Sequence, residues 1–170
     1  MQVALSLPHR AGAVLAGGFL GAITRYLLST LIQSYLGKGW PYDILLINIT
    51  GALALAFITT LADATFLIGP TRRLFINVGF LGAYTTFSSL ALSDVRLFTS
   101  GDIVSALVYL LATMLGGLLA VLLGDWLGQL LIKRVRGSSG TGAGMIPTQA
   151  GTDLTKEAGH LDIQDDVTTP

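Results

Sequence analysis

No charged residue falls between Arg73 and Asp94, and an uncharged run of that length can cross a lipid bilayer as a helix. Its middle is filled in an unusual way. In Gly79-Phe80-Leu81-Gly82-Ala83-Tyr84-Thr85-Thr86-Phe87-Ser88-Ser89-Leu90, two glycines precede four hydroxyl residues, Thr85, Thr86, Ser88 and Ser89, with aromatic rings set among them. Small and hydroxylated residues at membrane depth mark either close helix contact or a helix opened so that its backbone faces an ion. This segment limits both what the chain can fold into and what it can do.

The rest of the chain fits that setting. Hydrophobic residues make up 52% and charged residues 12%, against about a quarter charged in an ordinary soluble domain. Mean hydropathy is +0.69. The fold class read from this is all-α integral membrane. A formal net charge of zero gives no basis for a nucleic-acid partner. The absence of cysteine excludes disulfides, thiolate metal sites and cysteine nucleophiles. His9 and His160 lie outside the apolar runs, no constellation for covalent or acid–base catalysis is present, and the chain does not read as an enzyme. The first apolar run follows Arg10 as a signal peptide would. It extends from Ala11 to about Ile32, beyond a secretory core of roughly 7–15 residues, and is read as a retained helix.

Four transmembrane helices are predicted, over about Ala11–Leu36, Asp43–Leu61, Thr71–Phe98 and Asp102–Ile132. Gly37-Lys38-Gly39-Trp40-Pro41 punctuates the first junction and Gly69-Pro70 the second. Thr99-Ser100-Gly101-Asp102 makes the third, with Ser100 or Asp102 as the N-cap. The runs are about twice the ~9–11 residues of a barrel strand and do not alternate. Residues 1–136 form the membrane domain. Residues 137–170 are rich in Gly, Ser, Thr and Asp, cannot bury enough apolar surface to offset ordering, and read as a disordered polar tail. Lys133, Arg134 and Arg136 before it read as an anchor at the membrane surface. An even number of spans puts both termini on one side with Arg10, Arg72, Arg73 and this cluster, against Lys38 and Arg96 opposite. The positive-inside rule places that side, and the tail, in the cytoplasm.

Several residues stand out within the spans. Ala112, Gly116, Ala120, Gly124 and Gly128 form a row of small residues on the fourth helix, and Gly17 and Gly21 repeat the device on the first. Such faces admit a close helix neighbour, and their abundance in four slender helices points to an oligomer. Tyr109 and Thr113 place two hydroxyls in line, either for an ion path or bonded back onto their own helix. Arg25 is the one basic residue well inside a span. It either faces a cavity or counter-charge, or snorkels to the interface. Asn48 either makes an interhelical hydrogen bond worth ~0.6–2 kcal/mol or donates its amide into a pore.

These residues together closely resemble the Fluc, or CrcB, fluoride channel family. Gly17-Gly18-Phe19-Leu20-Gly21-Ala22-Ile23-Thr24-Arg25-Tyr26 is similar to its first-helix signature, and Asn48-Ile49-Thr50-Gly51 to its second-helix Asn-x-x-Gly. Gly79 through Ser89 resembles its third-helix Gly-Phe-x-Gly-x-x-Thr-Thr-Phe-Ser motif. The resemblance spans about residues 11 to 132. It implies an antiparallel, dual-topology dimer with two narrow fluoride pores and a third helix broken near its middle. In that scheme the carbonyls of Gly82 and Thr85, with their mates from the second subunit, hold a structural Na⁺ at the dimer interface. Asn48 and Phe87 fall at pore positions, with Thr86, Ser88, Tyr109 and Thr113 supplying hydroxyl donors along the path and Arg25 a charge. An aromatic ring offers a positive edge to an anion without trapping it. The family's second phenylalanine is Leu90 here. That substitution and the uneven Lys/Arg distribution leave two arrangements open, a homodimer and a heterodimer with an oppositely oriented paralogue.

The expected function is passive export of cytoplasmic fluoride across a bacterial plasma membrane. A proton-coupled drug antiporter would require an intramembrane carboxylate, and the core of the first three spans has none. Asp125 lies toward the end of the fourth, beside Trp126. A non-conducting membrane scaffold would account for the small-residue faces but not for the hydroxyl-rich interruption.

Overall fold

The computed structural model describes residues 7–64 and 69–139, without the side chains of 136–139. Four helical spans are long and apolar enough to cross a membrane: Leu7–Leu36, Tyr42–Ala64, Pro70–Thr99 and Ile103–Val135. Helix α1 is Leu7–Leu36 and α2 is Tyr42–Ala64. The third span is composite. It opens with α3, Pro70–Arg73, widens into a π-helical segment, Leu74–Leu81, closes with α4, Gly82–Tyr84, and resumes as α5, Phe87–Thr99. Helix α6 runs Ile103–Ser139, continuing past Gly137, where composition alone would end it. The remainder of the predicted tail, 140–170, lies outside the described residues.

Local chemistry sets the junctions. Gly37 and Gly101 adopt positive φ, +82° and +86°, the left-handed conformation that ends a helix without a Cβ clash. The amide of Gly37 donates back to Gln33 O at 3.0 Å and that of Gly101 to Phe98 O at 3.2 Å. Pro70 occupies the first turn of α3, where its missing N–H is no loss. Asp102, rather than Ser100, caps α6: its Oδ1 accepts the Ser105 amide at 3.1 Å, while the Ser100 hydroxyl donates to Leu97 O. The Ser105 side chain and then its backbone N–H hold the Asp102 carboxyl below its ordinary pKa.

The helices pack through glycine. A Cβ built on Gly17 would strike Phe75 O, and one on Gly21 would strike Phe80 O. From the other side, a Cβ on Gly79 would meet Val14 O at 2.7 Å and Gly17 Cα at 3.0 Å. Helix α1 and the π segment therefore touch backbone to backbone. On the opposite face α6 lies along α2, where a Cβ on Gly124 would strike Leu53 O and one on Gly128 would meet Thr60 Cβ at 2.9 Å. The small-residue rows thus pack against helices of the same protomer, the close helix contact expected of them, and they carry no argument about an oligomer. They bring four helices of a single chain close enough for dispersion contacts to replace the hydrophobic effect that a bilayer does not supply. Ile47, Leu81 and Tyr84 form the buried cluster between α2 and the third span, with Leu28, Ile58 and Phe80 against it. Large apolar side chains point outward, as a bilayer requires. Phe19, Leu119 and Leu122 are among them.

Backbone carbonyls cannot yield as a flexible side chain can. Gly79→Ala is expected to cost about 1–3 kcal/mol through overpacking. Gly12→Ala, with nothing within 4 Å of the added methyl, should leave stability unchanged or slightly raised. Thermal unfolding of the two variants in the same detergent checks this.

Candidate functional site

The third span is interrupted at two consecutive extended residues, Thr85 (φ −78°, ψ 156°) and Thr86 (φ −153°, ψ 117°). The predicted break is present, and its hydrogen bonds show what it exposes. In a continuous helix the Thr86 amide would serve Gly82 O and the Ser89 amide would serve Thr85 O. Here the Thr86 amide donates to Asn48 Oδ1 at 2.9 Å. The Ser89 amide donates to Thr86 Oγ1 at 3.2 Å, so that Thr86 caps α5. Both donors are diverted, and no other backbone amide among the described residues takes their place at Gly82 O or Thr85 O.

Asn48 closes a second bond to the same residue, its Nδ2 donating to Thr86 O at 3.1 Å. Of its two sequence readings, the structure shows the interhelical hydrogen bond, directed at the interruption itself. One turn along α2, Gly51 lies where a Cβ would strike Thr85 Cγ2 and meet Tyr84 Cδ1 at 3.1 Å. The Asn-x-x-Gly spacing thus has two physical parts on one helix face: an amide that grips the opened backbone and a gap into which that backbone fits. Thr50 and Tyr84 add a hydroxyl–hydroxyl hydrogen bond of 2.9 Å nearby.

The hydroxyls around the break form a cluster. Thr86 Oγ1 lies 3.2 Å from Ser88 Oγ and 3.1 Å from Ser89 Oγ. Phe87, at the first position of α5, is 74% exposed and has no aromatic neighbour among the described ring pairs. Leu90, one turn on, is buried, so the two positions differ in environment. Tyr109 is fully buried against the edge of Trp40, ring centroids 5.3 Å apart. Its hydroxyl has no partner in hydrogen-bond geometry among the described residues. Thr113 is different: its hydroxyl donates to Tyr109 O at 2.8 Å. Its hydrogen is spent on its own helix, the blander of the two sequence readings. Arg25 is half-buried on α1, well before Leu36, and enters no ion pair among the described residues.

Sequence reasoning passed over the polar wall on the side of the bundle away from the termini. Asp43, 4% exposed, accepts from Ser29 Oγ at 2.5 Å and Gln33 Nε2 at 2.7 Å. These three line a cavity of about 510 Å³ that also borders Lys38, Arg96 and Ser89. The Ser29–Gln33 spacing of four residues was the available signal, since it places both on one face of α1. A second intramembrane amide, Asn77, donates to Thr59 Oγ1 at 3.0 Å and was also missed. The carboxylate a proton antiporter would use, Asp125, accepts from Thr60 at 2.7 Å and from Gln129 at 2.8 Å. These bonds tie it into the α2–α6 packing. Among the described residues no group of three or more His, Cys, Asp or Glu side chains is placed to hold a metal ion.

Comparison with known proteins agrees with this architecture. The family model described as CrcB-like protein, Camphor Resistance (CrcB), matches residues 12–125. A fluoride-specific ion channel FluC of Chlorobium phaeobacteroides (strain BS1) is 36% identical over 127 residues, 73% of this chain and 98% of that protein. A FluC of Hydrogenobaculum sp. (strain Y04AAS1) is 40% identical over 119 residues, 70% of this chain and 97% of its own length. One from Trichormus variabilis (strain ATCC 29413 / PCC 7937) is 43% identical over 122 residues, 71% and 89% respectively. The match reaches from the first span into the fourth and takes in the interrupted third. The chain therefore belongs to the CrcB family of fluoride-specific ion channels, as a multi-pass bacterial membrane protein and not an enzyme.

Proposed function

We propose that this chain lets cytoplasmic fluoride leave the cell passively, as one half of an antiparallel dimer organised around a structural Na⁺. The observation that carries this reading is the interruption at Thr85–Thr86, which takes the Gly82 and Thr85 carbonyls out of the helical ladder. Open backbone is tolerated at membrane depth only where it meets protein, water or an ion. Uncharged carbonyl oxygens are hard donors suited to a hard cation, which takes several oxygens at once. One protomer offers two, so the donor set becomes adequate only when a second copy brings its own Gly82 and Thr85 to the same axis. When bound, Na⁺ supplies a fixed positive charge and a cross-link between subunits.

The side chains next to the break provide the ion path. Phe87 presents its ring outside the protomer, where a partner's surface completes a narrow channel and the ring's positive edge faces the anion. Thr86 and Ser88 offer hydroxyls beside it. The Tyr109 O–H, buried without a well-aligned acceptor, is a donor available to a passing anion. Asn48 has one amide hydrogen beyond the one given to Thr86 O, and Arg25, in no ion pair among the described residues, brings a charge that attracts an anion toward the bundle. Thr113 shapes the path, because its own hydrogen is already engaged. A set of weak donors and ring edges replaces water around a small, strongly hydrated anion without holding it, as conduction requires. Since Leu90 is buried, the missing second phenylalanine does not alter the exposed face around Phe87, and a homodimer is the simpler assembly.

Liposomes containing only this polypeptide should release fluoride rapidly and chloride negligibly when an ion gradient is imposed. Failure of fluoride release, with restoration by an added paralogous subunit, would turn the reading to a heterodimer. Phe87→Ile should lower fluoride efflux by at least about tenfold, the equivalent of roughly 1.4 kcal/mol on the rate-limiting barrier. The size-exclusion profile should be unchanged, whereas a non-conducting scaffold would show no such efflux to lose.

A further inference from the structure

The same amide that resemblance assigns to the pore makes two hydrogen bonds to the backbone of one residue at the break. We propose that Asn48 is a positioning residue, whose carboxamide holds the third span open by taking the place of the helical partner of Thr86 and thereby keeps the Gly82 carbonyl available to a hard monovalent cation. The inference rests on the cation reading above, and extends it to the residue that makes the cation site possible.

The geometry carries the argument. A helix interrupted in hydrocarbon tends to close, because each unpaired amide or carbonyl there costs free energy that one rung of helix would recover. The rung most readily recovered is Thr86 N–H to Gly82 O. Asn48 Oδ1 removes it by accepting that N–H at 2.9 Å, and Asn48 Nδ2 satisfies the Thr86 carbonyl at 3.1 Å. A carboxamide presents an acceptor and a donor side by side, so it can pair with both polar groups of one extended residue. Three features fix it in place. It is half-buried on α2, Gly51 on the same face admits Thr85 and Tyr84, and the Thr50–Tyr84 hydrogen bond ties the two helices just before the break. The next amide along, that of Phe87, opens α5 and has no backbone acceptor among the described residues.

The test is the Na⁺ dependence of melting of the full chain in detergent, titrated with NaCl against N-methylglucamine chloride at constant ionic strength. Wild type should show a saturable rise in Tm with Na⁺. Asn48→Ala should lose that rise, because the Thr86 amide is freed to re-form the rung. Asn48→Asp, which keeps the acceptor, should retain it even though the added carboxylate blocks fluoride flux. If Asn48→Ala loses flux but keeps the wild-type Na⁺ response, Asn48 acts directly on the anion and the positioning role is overturned. If wild type itself shows no Na⁺ response, the cation reading fails, and hydrogen exchange then decides the positioning role alone. In the wild-type protein the Thr86 amide should exchange markedly more slowly than that of Phe87. Equal rates would overturn the role, and this comparison stands even if Asn48→Ala does not fold.

Discussion

A bilayer offers no hydrogen bonds, so every backbone amide and carbonyl at membrane depth must find a partner inside the protein. In this chain that constraint is met along α1, α2 and α6 by ordinary helix and is broken deliberately once, at Thr85–Thr86. On the amide side of the break, the two donors that a continuous helix would send to Gly82 O and Thr85 O have other partners. Thr86 N–H goes to Asn48, and Ser89 N–H goes to the Thr86 hydroxyl. On the carbonyl side no backbone amide among the described residues replaces them. That asymmetry leaves electron-rich oxygens without backbone donors at the centre of the third span, an arrangement chemically suited to a cation.

Such an interruption is stable only because the surrounding packing leaves it little freedom. The π segment before it lies backbone to backbone on α1, locked by Gly17, Gly21 and Gly79. A π segment widens the helix and disturbs its regular rungs, and here it precedes the residues that leave the helix altogether. On the other side α2 brings Asn48 and Gly51 to the break, while α6 holds α2 in place through Gly124 and Gly128. The close contacts within the protomer and the opened backbone are therefore parts of one device. The ring of Phe87, just after the break, is exposed on the outside of the protomer.

Much of this was legible from residue order. The four spans followed from apolar runs punctuated by Gly37, Pro70 and Gly101. Glycines and hydroxyls at a depth where leucine would otherwise be expected left close helix contact and an opened helix as alternatives, and the family resemblance supplied the break. What escaped depends on registers between helices that sequence spacing does not encode. The small faces of α1 and α6 read as places of close helix packing, but nothing in one sequence says which helix fills each groove or whether it belongs to the same chain. Asn48 could be seen as a polar residue in need of a partner, but not that its partner would be the interruption one helix away. Thr113 and Tyr109 form one stripe, yet the first bonds its own helix and the second is left without an aligned acceptor. The difference lies in rotamer and local packing rather than in periodicity. Asp43 entered the sequence reading only as the approximate start of the second span; Ser29 and Gln33 make it part of a buried cluster.

The central claim is that two particular peptide oxygens stand outside the helical ladder and meet a cation. Isotope-edited infrared spectroscopy of the reconstituted protein, with a ¹³C=¹⁸O label placed at Gly82 and then at Thr85, addresses those oxygens one at a time. Both labelled bands should lie away from the position of a labelled mid-helix control such as Leu53, and should shift when Na⁺ is replaced by N-methylglucamine. Bands that coincide with the control and ignore the exchange would mean that the carbonyls are ordinarily bonded, and would contradict the account.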